Sequence, residues 1–577
     1  MNEESNEVVE VFDRPHVWLH SVTLRNSQRL ELGRHEIIAV VGPNNAGKSA
    51  LLRDISSLLQ SATNAALIVR SLETVLKGNV EAVANWGRGR VLEMYRASQS
   101  PDPPVTMPFG NMNLSSLVNS WSSGLAGNGF INLVGLFSVH LQTENRLTAA
   151  NNVSSINTVT QPATSPLHHI YEDELLEARL SRIFKQAFGT DLVINRSAGR
   201  DIVLHMGDRP VPPEGKDRVS NEFRRAVHAL PMVQSQGDGI KSFVGVLLDT
   251  LVVDRDIILI DEPDAFLHPP QATLLGRVLA TELPSPRQLI VATHSSDLLR
   301  GLLDAPHSTV RVVRIRRERG ENKITELEPE DVREVWRDPL LRYSKVLDGL
   351  FHDGVIVCES DGDCRFYGAM MDAVAGEEHR PDLHLVHGAG KSRVATIIRA
   401  LRALDVPVRA VVDFDALNDE TGLRSICEAL GGLRNDVAAD WKKVKAAIEK
   451  RRPQLSAEKA KEEISAVFDR VEGPNLSDDG IKEIKDVLKA TSAWSEAKRI
   501  GKAFLPSGEE RATYERLAGQ LRALGLYLVE VGELEGFCPT AGAHGPAWVA
   551  KVLERDLEND EELETARKFA KMLLSGW

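Results

Sequence analysis

The stretch Ile37–Ser49, IIAVVGPNNAGKS, decides the fold of the first half of the chain. Its aliphatic run predicts a buried strand, and the pattern G-x-x-x-x-G-K-[ST] that follows is typical of a phosphate-binding loop between a strand and a helix. Glycines let backbone amides surround phosphate oxygens, while Lys48 reaches the β- and γ-phosphates and the Ser49 hydroxyl ligates Mg²⁺. The sequence therefore predicts an ATP·Mg²⁺ site formed by Gly42, Pro43, Asn44, Asn45, Ala46, Gly47, Lys48 and Ser49.

Two further strands supply the acidic part of this site. The aliphatic run 257–260 leads directly into Asp261 and Glu262. Since α/β sheets bind ligands at the carboxyl ends of their strands, we expect Asp261 to hold Mg²⁺ and Glu262 to polarise the attacking water. A third apolar run, LIVAT, precedes His294, which is placed to sense the γ-phosphate.

A glycine-containing segment, SQGDG, precedes an apolar helical stretch between these motifs. Ser235, Gly237 and Gly239 would form an anion-binding helix N-terminus. The order of the four motifs resembles that of ABC-type ATPases, although SQGDG departs from the usual LSGGQ. The resemblance implies a homodimer through the ATPase domains, with two nucleotides at the interface.

A second acidic pattern begins at residue 354. The runs GVIVCE, LHLVH and VRAVVDFD alternate with helical stretches, a spacing that predicts a parallel βαβαβ unit. Glu359 and Asp363 follow the first strand, and Asp413 and Asp415 follow the third, so we expect these carboxylates to converge at one sheet edge and to bind Mg²⁺ or Mn²⁺. The intervening HGAGKS is not a second phosphate loop, because Leu385 stands where the first glycine is needed.

The remaining sequence predicts a helical insertion and a return to the sheet. Residues 417–522 are charged, with apolar residues at helical spacing, and we favour solvated faces over a role in gripping substrate. The strand GLYLVEV then leads to Glu530, Glu533 and Glu535, any of which could complete a metal site. Lys551, on a short helix, either stabilises a phosphate or is simply exposed.

The second block resembles the Toprim fold of topoisomerases, primases and some nucleases, which carries a glutamate after its first strand and Asp-x-Asp after its third. An ABC-type ATPase followed by a Toprim domain resembles the OLD (overcoming lysogenization defect) family, which includes the nuclease subunits of Gabija-type antiphage systems and retron-associated effectors. The resemblance implies an ATP-binding, Mg²⁺- or Mn²⁺-dependent DNA endonuclease. It also implies metal ligands at Glu359, Asp363, Asp413, Asp415 and Glu533 or Glu535, and a catalytic lysine at Lys551. Ser360 departs from the glycine that usually follows the first-strand glutamate.

The predicted fold class is therefore α/β. Residues 1–348 would form the ABC-type P-loop ATPase domain, with an inserted segment at about 60–200. Residues 349–577 would form the Toprim domain, with the helical insertion at about 417–522.

The composition of the chain argues against several classes of protein. The formal charge of −13 and a pI near 5.7 argue against a non-specific basic nucleic-acid binder. The four cysteines form no CxxC pair and fit reduced thiols. The N-terminal stretch lacks an apolar signal region and no long apolar run appears, so we expect a cytoplasmic protein without a membrane partner.

Several alternatives stay open. The same motifs fit a Toprim nuclease that cuts RNA, such as tRNA, or an ATP-switched sensor or scaffold subunit whose partner does the chemistry. A defence-system partner protein, a retron RNA or DNA, and an oligomer larger than a dimer are compatible with the resemblance. The basic stretch VRVVRIRRERG (residues 310–320) fits a half-exposed edge strand better than a phosphate-contacting rim.

Overall fold

The structure is a computed structural model of the chain. It describes residues 14–97, 100–107, 110–130, 132–157, 160–283, 287–305, 310–327, 332, 338, 345–376, 380–388, 390–432, 435–451, 457–470, 475–489 and 493–577. The expectation about a signal region concerns the acidic N-terminal stretch, most of which lies outside the described residues. The chain forms two compact units, Met1–Arg333 and Glu334–Trp577.

The strands of the first unit are β1 (His16–Leu24), β2 (Arg29–Glu31), β3 (Ile37–Val41), β4 (Val69–Lys77), β5 (Pro104–Thr106), β6 (Asn111–Asn113), β7 (Ser138–Leu141), β8 (Val153–Ser154), β9 (Asp191–Asn195), β10 (Asp201–Gly207), β11 (Ile257–Asp261), β12 (Gln288–Ala292), β13 (Val310–Glu318) and β14 (Glu321–Leu327). Its helices are α1 (Lys48–Gln60), α2 (Val80–Gly89), α3 (Glu93–Ala97), α4 (Leu114–Leu125), α5 (Val134–Phe137), α6 (Thr143–Thr148), α7 (Pro166–Glu172), α8 (Glu174–Phe188), α9 (Asn221–His228), α10 (Asp238–Leu247), α11 (Pro269–Thr281) and α12 (Ser296–Leu303).

A six-stranded sheet in the order β14-β13-β3-β12-β11-β7 organises this unit. All neighbouring strands are parallel except the β13–β14 pair. The aliphatic runs of β3, β11 and β12 are almost entirely buried, as expected for parallel strands covered on both faces. Leu51, Leu52 and Ile55 of α1 pack into the same core, which fixes the phosphate-binding loop between β3 and α1.

The prediction of an edge strand for the basic stretch is wrong. β13 lies between β3 and β14, because the turn at Arg319–Gly320 reverses the chain and β14 covers the outer side of β13. Arg314 is consequently buried, with 1% of its surface exposed. Arg311 donates to Glu36 Oε2 at 2.8 Å and pairs with Glu326 at 2.7 Å, so this arginine is compensated by acids of its own unit.

Smaller sheets accompany the six-stranded sheet of the first unit. β1, β2 and β4 form an antiparallel sheet, and β9 and β10 form a hairpin, to which β8 adds. Helix α8, which precedes this hairpin, begins after Asp173, whose side chain caps it, and ends at Gly189 in the left-handed conformation (φ 76°).

The second unit contains the strands β15 (Gly354–Cys358), β16 (Leu383–His387), β17 (Val408–Val412) and β18 (Leu526–Leu528). Its helices are α13 (Asp361–Val374), α14 (Lys391–Ala403), α15 (Glu420–Leu430), α16 (Asn435–Lys450), α17 (Ala457–Phe468), α18 (Asp478–Lys489), α19 (Ala493–Ile500), α20 (Glu509–Leu524), α21 (Pro546–Leu553) and α22 (Glu564–Leu574). Helices α15 to α20 occupy the predicted insertion. Among the described residues, no helix is long and apolar enough to span a bilayer.

The four strands of the second unit form a parallel sheet in the order β16-β15-β17-β18. Ile356 and Cys358 of β15 share a core with Phe366 of α13. On the other face, Val355 and Leu401 of α14 both lie against Gly349, so helices cover both faces of the sheet. The chain winds outward from β15 in one direction and from β17 in the other. Such a reversal opens a crevice at the carboxyl ends of the two central strands, where sheets of this kind bind their ligands.

A buried glutamine joins the six-stranded sheet to the antiparallel sheet of β1, β2 and β4. Gln288, the first residue of β12, is completely buried. Its side-chain amide donates to Leu19 O at 2.8 Å and to Gly33 O at 2.6 Å, and its carbonyl accepts from Leu19 N at 2.8 Å. One side chain thus satisfies three buried backbone groups outside the regular strand pairing.

We predict that Gln288→Leu destabilises the first unit by about 3 kcal/mol, because it leaves buried donors and acceptors without partners at little change in volume. Differential scanning calorimetry of the full chain would show a lower melting temperature for this unit. Gln60→Leu, at an exposed position in α1, is the matched control. Equal melting temperatures for Gln288→Leu and the unaltered chain would contradict the bridging role.

Candidate functional site

The phosphate-binding loop of the first unit has the predicted backbone. Gly42 and Gly47 have φ angles of 146° and 101°, and a Cβ atom at Gly42 would lie 2.0 Å from Ile315 O of β13. Only glycine tolerates that close approach together with that conformation. The buried Lys48 donates to Gly42 O at 2.8 Å and to Pro43 O at 2.9 Å, so its ammonium lies against the loop that would hold the phosphates.

The acidic residues of the first unit meet this loop. Ser49 donates to Asp261 Oδ1 at 2.9 Å, which links the two predicted Mg²⁺-binding groups directly. Glu262 follows β11 with a left-handed backbone (φ 49°), and His294, two residues beyond the end of β12, lies with Nδ1 3.4 Å from Glu262 Oε1. Residues that the sequence placed on three strands therefore form one site.

The ionisation of these groups suits water activation. The hydrogen bond to His294 lowers the pKa of Glu262, and the same bond raises the pKa of His294. Burial raises the pKa of Asp261, and burial lowers the pKa of Lys48 against the opposing charges of Glu262 and Asp261. Glu262 is thus the carboxylate of this site that stays ionised most readily, so its negative charge is available to orient and polarise a water molecule.

Sequence reasoning missed Arg146, which belongs to this site. Arg146 on α6 is completely buried and donates to Asp261 O at 2.5 Å and to Glu262 O at 2.9 Å. It also donates to Leu141 O at 3.2 Å. The arginine therefore fixes the turn that carries Asp261 and Glu262. No nucleotide-binding motif includes this position, so only the folded chain reveals it.

The residues of the SQGDG segment lie at the start of α10, as predicted. Ser235 ends a short 3-10 turn and Gly237 is the N-cap of the helix, and both are exposed. Gly239 lies in the first turn, where an added Cβ would meet Phe266 O at 2.6 Å. The first unit therefore presents an uncovered helix N-terminus at the segment that resembles the ABC signature.

Carboxylates also converge in the second unit. Glu359 directly follows β15 and Asp413 directly follows β17, and Asp413 N donates to Glu359 Oε1 at 3.0 Å. Asp363 lies in the first turn of α13, where it forms a capping box with Ser360: Ser360 N donates to Asp363 Oδ2 at 2.8 Å and Asp363 N to Ser360 Oγ at 3.3 Å. The serine that departs from the Toprim pattern thus caps the helix that carries Asp363.

A cavity of about 480 Å³ opens over these carboxylates. It is lined by Glu359, Ser360, Asp361, Gly362, Asp363, Arg365, Asp413, Lys498, Glu533, Leu534, Glu535, Gly545, Pro546, Val549, Ala550 and Leu553. The structure thus brings together five of the six predicted metal-binding side chains around one space. Asp415 is not among the lining residues.

Two lysines that sequence reasoning did not assign to the site contact the carboxylates. Lys391 forms a hydrogen-bonded ion pair with Asp415 and lies 3.9 Å from Glu359 Oε2. Lys498 Nζ, on α19 of the helical insertion, lies 3.5 Å from Asp413 Oδ2 and 3.7 Å from Glu533 Oε2. The interpretation of the insertion as merely solvated helices is therefore wrong for α19, because this helix delivers a cation to the cluster.

The predicted catalytic Lys551 does not line this cavity. Its exposed side chain donates to Ala541 O at 3.2 Å. Helix α21 presents Val549 and Leu553 to the cavity instead.

The electrostatics of the cluster favour a cation. Burial and the neighbouring Glu359 raise the pKa of Asp413 to about 8. Burial also raises the pKa values of Glu359, Asp363 and Glu533. A raised pKa means that the ionised carboxylates lack enough positive charge around them. Their hard oxygen ligands suit Mg²⁺ and Mn²⁺, so the residues present fit a divalent metal. At the same cavity, Glu533 and Glu535 place potential ligand atoms within 4.8 Å of one another and of His544.

Comparison with known proteins identifies the first unit. Residues 146–300 match the family model described as AAA domain, putative AbiEii toxin, Type IV TA system. The uncharacterized protein MJECL11 of Methanocaldococcus jannaschii is 32% identical over 106 residues, which cover 17% of this chain and 90% of that protein. Together with the site geometry, the family match identifies a P-loop ATPase domain with an ATP-binding site.

Solved structures of SMC heads are similar to this chain at low identity. The SMC head bound to the C-winged helix domain of ScpA is 13% identical, with a TM-score of 0.33, and the match covers 55% of this chain and 99% of that chain. The SMC head domain from Thermotoga maritima is 11% identical, with a TM-score of 0.28, and the match covers 54% of this chain and 99% of that chain.

We predict that Arg146→Lys lowers the kcat of ATP hydrolysis by about 10- to 100-fold, because a lysine cannot span both carbonyls and the Glu262 turn shifts. The affinity for a non-hydrolysable ATP analogue should change much less. Steady-state phosphate release and a binding titration measure the two quantities. Arg182→Lys, at an exposed position on α8, is the matched control. Unchanged hydrolysis by Arg146→Lys would show that the turn needs no such support.

Proposed function

We propose that this chain, which belongs to the family of the uncharacterized protein MJECL11, is an ATP-hydrolysing, Mg²⁺- or Mn²⁺-dependent DNA endonuclease of the OLD type. The observation that carries the proposal is the convergence of Glu359 and Asp413 at the carboxyl ends of the two central strands of a parallel sheet. An ATPase does not need this second cluster, and a phosphodiesterase does.

The sheet supports the Toprim part of the proposal. Its four strands are parallel, and the acidic residues follow the first and third strands along the chain, as the Toprim resemblance requires. Glu359, Asp363 and Asp413 would hold the metal ion, and Glu533 and Glu535 lie on the same cavity. When bound, such an ion activates water and stabilises the leaving oxygen in phosphodiester hydrolysis.

The chain's own residues would shape the substrate site. Lys498 and Lys391 offset part of the negative charge that otherwise repels a phosphate. Val549 and Leu553 of α21 form an apolar wall of the cavity, suited to a sugar or base beside the scissile phosphate. A cavity that combines lysines beside its carboxylates with an apolar wall suits a nucleic-acid backbone better than a small anion.

The ATPase unit supports the remaining parts of the proposal. The exposed helix start at Ser235 and Gly237 is available to a second copy of the chain. The proposal therefore includes a homodimer with two ATP molecules bound at its interface. The expected cytoplasmic location is a further part of the proposal. The matching family model carries the description of a putative toxin of a type IV toxin–antitoxin system, which supports a role in antiphage defence.

A second candidate function is an ATP-switched scaffold whose carboxylates no longer bind metal. The observation that favours it is the ion pairing of Lys391 and Lys498 with this cluster, which compensates part of its charge without metal. Metal-dependent cutting distinguishes the two functions.

We predict that Asp413→Asn abolishes Mg²⁺- or Mn²⁺-dependent nicking of supercoiled plasmid and leaves ATP hydrolysis unchanged, because Asp413 belongs to the second unit's cluster alone. Gel analysis of plasmid and phosphate release measure the two activities. Asp372→Asn, exposed on α13, is the matched control.

Three outcomes separate the candidate functions. Nicking by the unaltered chain and by Asp372→Asn, but not by Asp413→Asn, supports the endonuclease. Cleavage of RNA alone would replace DNA by RNA as the substrate. ATP hydrolysis without cutting of either nucleic acid would favour the scaffold.

We predict that Mn²⁺ affinity rises with pH up to about 8. Asp413, with its pKa of about 8, is protonated below that pH, and a metal ligand must be ionised. Affinity should therefore fall by up to about tenfold for each pH unit below 8 and level off above it. Calorimetric titration at pH 6.5, 7.5 and 8.5, in buffers of different ionisation enthalpy and in an Asp261→Asn background, measures affinity and proton release. Affinity that is independent of pH, with no proton released, would contradict this account.

A further inference from the structure

Lys498 reaches the carboxylate cluster from outside the parallel sheet. It lies near the end of α19, within the insertion between β17 and β18. Its ammonium lies 3.5 Å from Asp413 Oδ2, 3.6 Å from Asp415 Oδ2 and 3.7 Å from Glu533 Oε2. Three carboxylates from two different loops thus surround one cation that belongs to the chain itself.

The backbone holds α19 in this place. Gly501 and Gly532 have φ angles of 59° and 111°, and the two chain segments touch through them. A Cβ atom at Gly532 would lie 2.0 Å from Lys498 O, and one at Gly501 would lie 2.1 Å from Glu530 O. Lys502 N also donates to Glu530 O at 2.9 Å. Because both glycines lack a side chain, the backbone at the end of α19 and the backbone of the loop that carries Glu533 lie in direct contact. This contact holds the helix that carries Lys498 against that loop.

The same contacts divide the acidic cluster into two parts. Asp415 bridges Lys391 and Lys498 and does not line the cavity. Glu359, Asp363 and Asp413 do line it. Asp413 also lies 3.5 Å from Lys498 and Glu359 lies 3.9 Å from Lys391, whereas the ion pairs of the described residues include none between Asp363 and either lysine. Asp415 is therefore engaged by both lysines away from the cavity, Glu359 and Asp413 are each compensated by one lysine, and the cavity side of the cluster with Asp363 is left for an external cation.

We infer that each chain binds one divalent ion in the second unit, at Glu359, Asp363 and Asp413, and that the Lys498 ammonium takes the place of a second ion. The inference rests on the proposed function, since it assumes that this cluster binds metal. A second divalent ion among Asp413, Asp415 and Glu533 would have to displace an ammonium that the backbone docks there, and like charges this close repel. Asp415 is accordingly an anchor for the two lysines and not a metal ligand.

The test is the stoichiometry of Mn²⁺ binding by the full chain. Nucleotide is omitted and Asp261→Asn removes the metal ligand of the ATPase site. Loss of the electron paramagnetic resonance signal of free Mn²⁺ counts the bound ions. We expect one ion per chain, and two in Lys498→Met, with the spin coupling of neighbouring Mn²⁺ ions. Lys498→Arg, which keeps the charge, and Lys551→Met, which removes an exposed lysine outside the cavity, should both bind one.

The remaining outcomes overturn the inference in distinguishable ways. Two ions bound to the chain with Lys498 unaltered would refute the inference that the Lys498 ammonium takes the place of a second ion. The metal-dependent function would remain intact. One ion in both the unaltered chain and Lys498→Met would show that the lysine excludes nothing. No bound Mn²⁺ in any variant would refute the proposed function together with the inference. Circular dichroism of each variant confirms that the fold is retained.

Discussion

Carboxylates that are held together and partly buried repel one another unless a cation compensates them, and both sites of this chain are built around that constraint. In the first unit, Ser49 and Arg146 hold the turn that carries Asp261 and Glu262. In the second unit, Lys498 reaches the cluster around Asp413. Each site combines acidic residues at the ends of parallel strands with cations from elements outside those strands. The parallel sheets supply the convergence, and the surrounding helices supply the compensation.

Much of this arrangement is readable from sequence, because strand periodicity and local motifs act over a few residues. The aliphatic runs predict β3, β11, β15 and β17 within a residue or two, and the residues after them lie where parallel sheets place ligands. The phosphate-binding loop is predicted residue by residue, since its glycines serve a backbone conformation that no other residue adopts easily.

The missed features depend on contacts between distant segments. Arg146 donates to carbonyls 115 and 116 residues away, and Lys498 lies on an insertion whose periodicity signals only a helix. The alternation of Val and Arg in β13 predicts a half-exposed edge strand, yet β14 folds back over it. Side chains that compensate charge carry no local signature, so these positions emerge only when the chain is folded.

The central claim is that Glu359, Asp363 and Asp413 form a divalent-metal centre. Anomalous diffraction at the Mn absorption edge, from crystals of the unaltered chain soaked in Mn²⁺, tests it most directly. The account predicts an anomalous peak in the cavity within bonding distance of these three carboxylates. A map with no peak there, while Mn²⁺ occupies other sites of the same crystal, would contradict it.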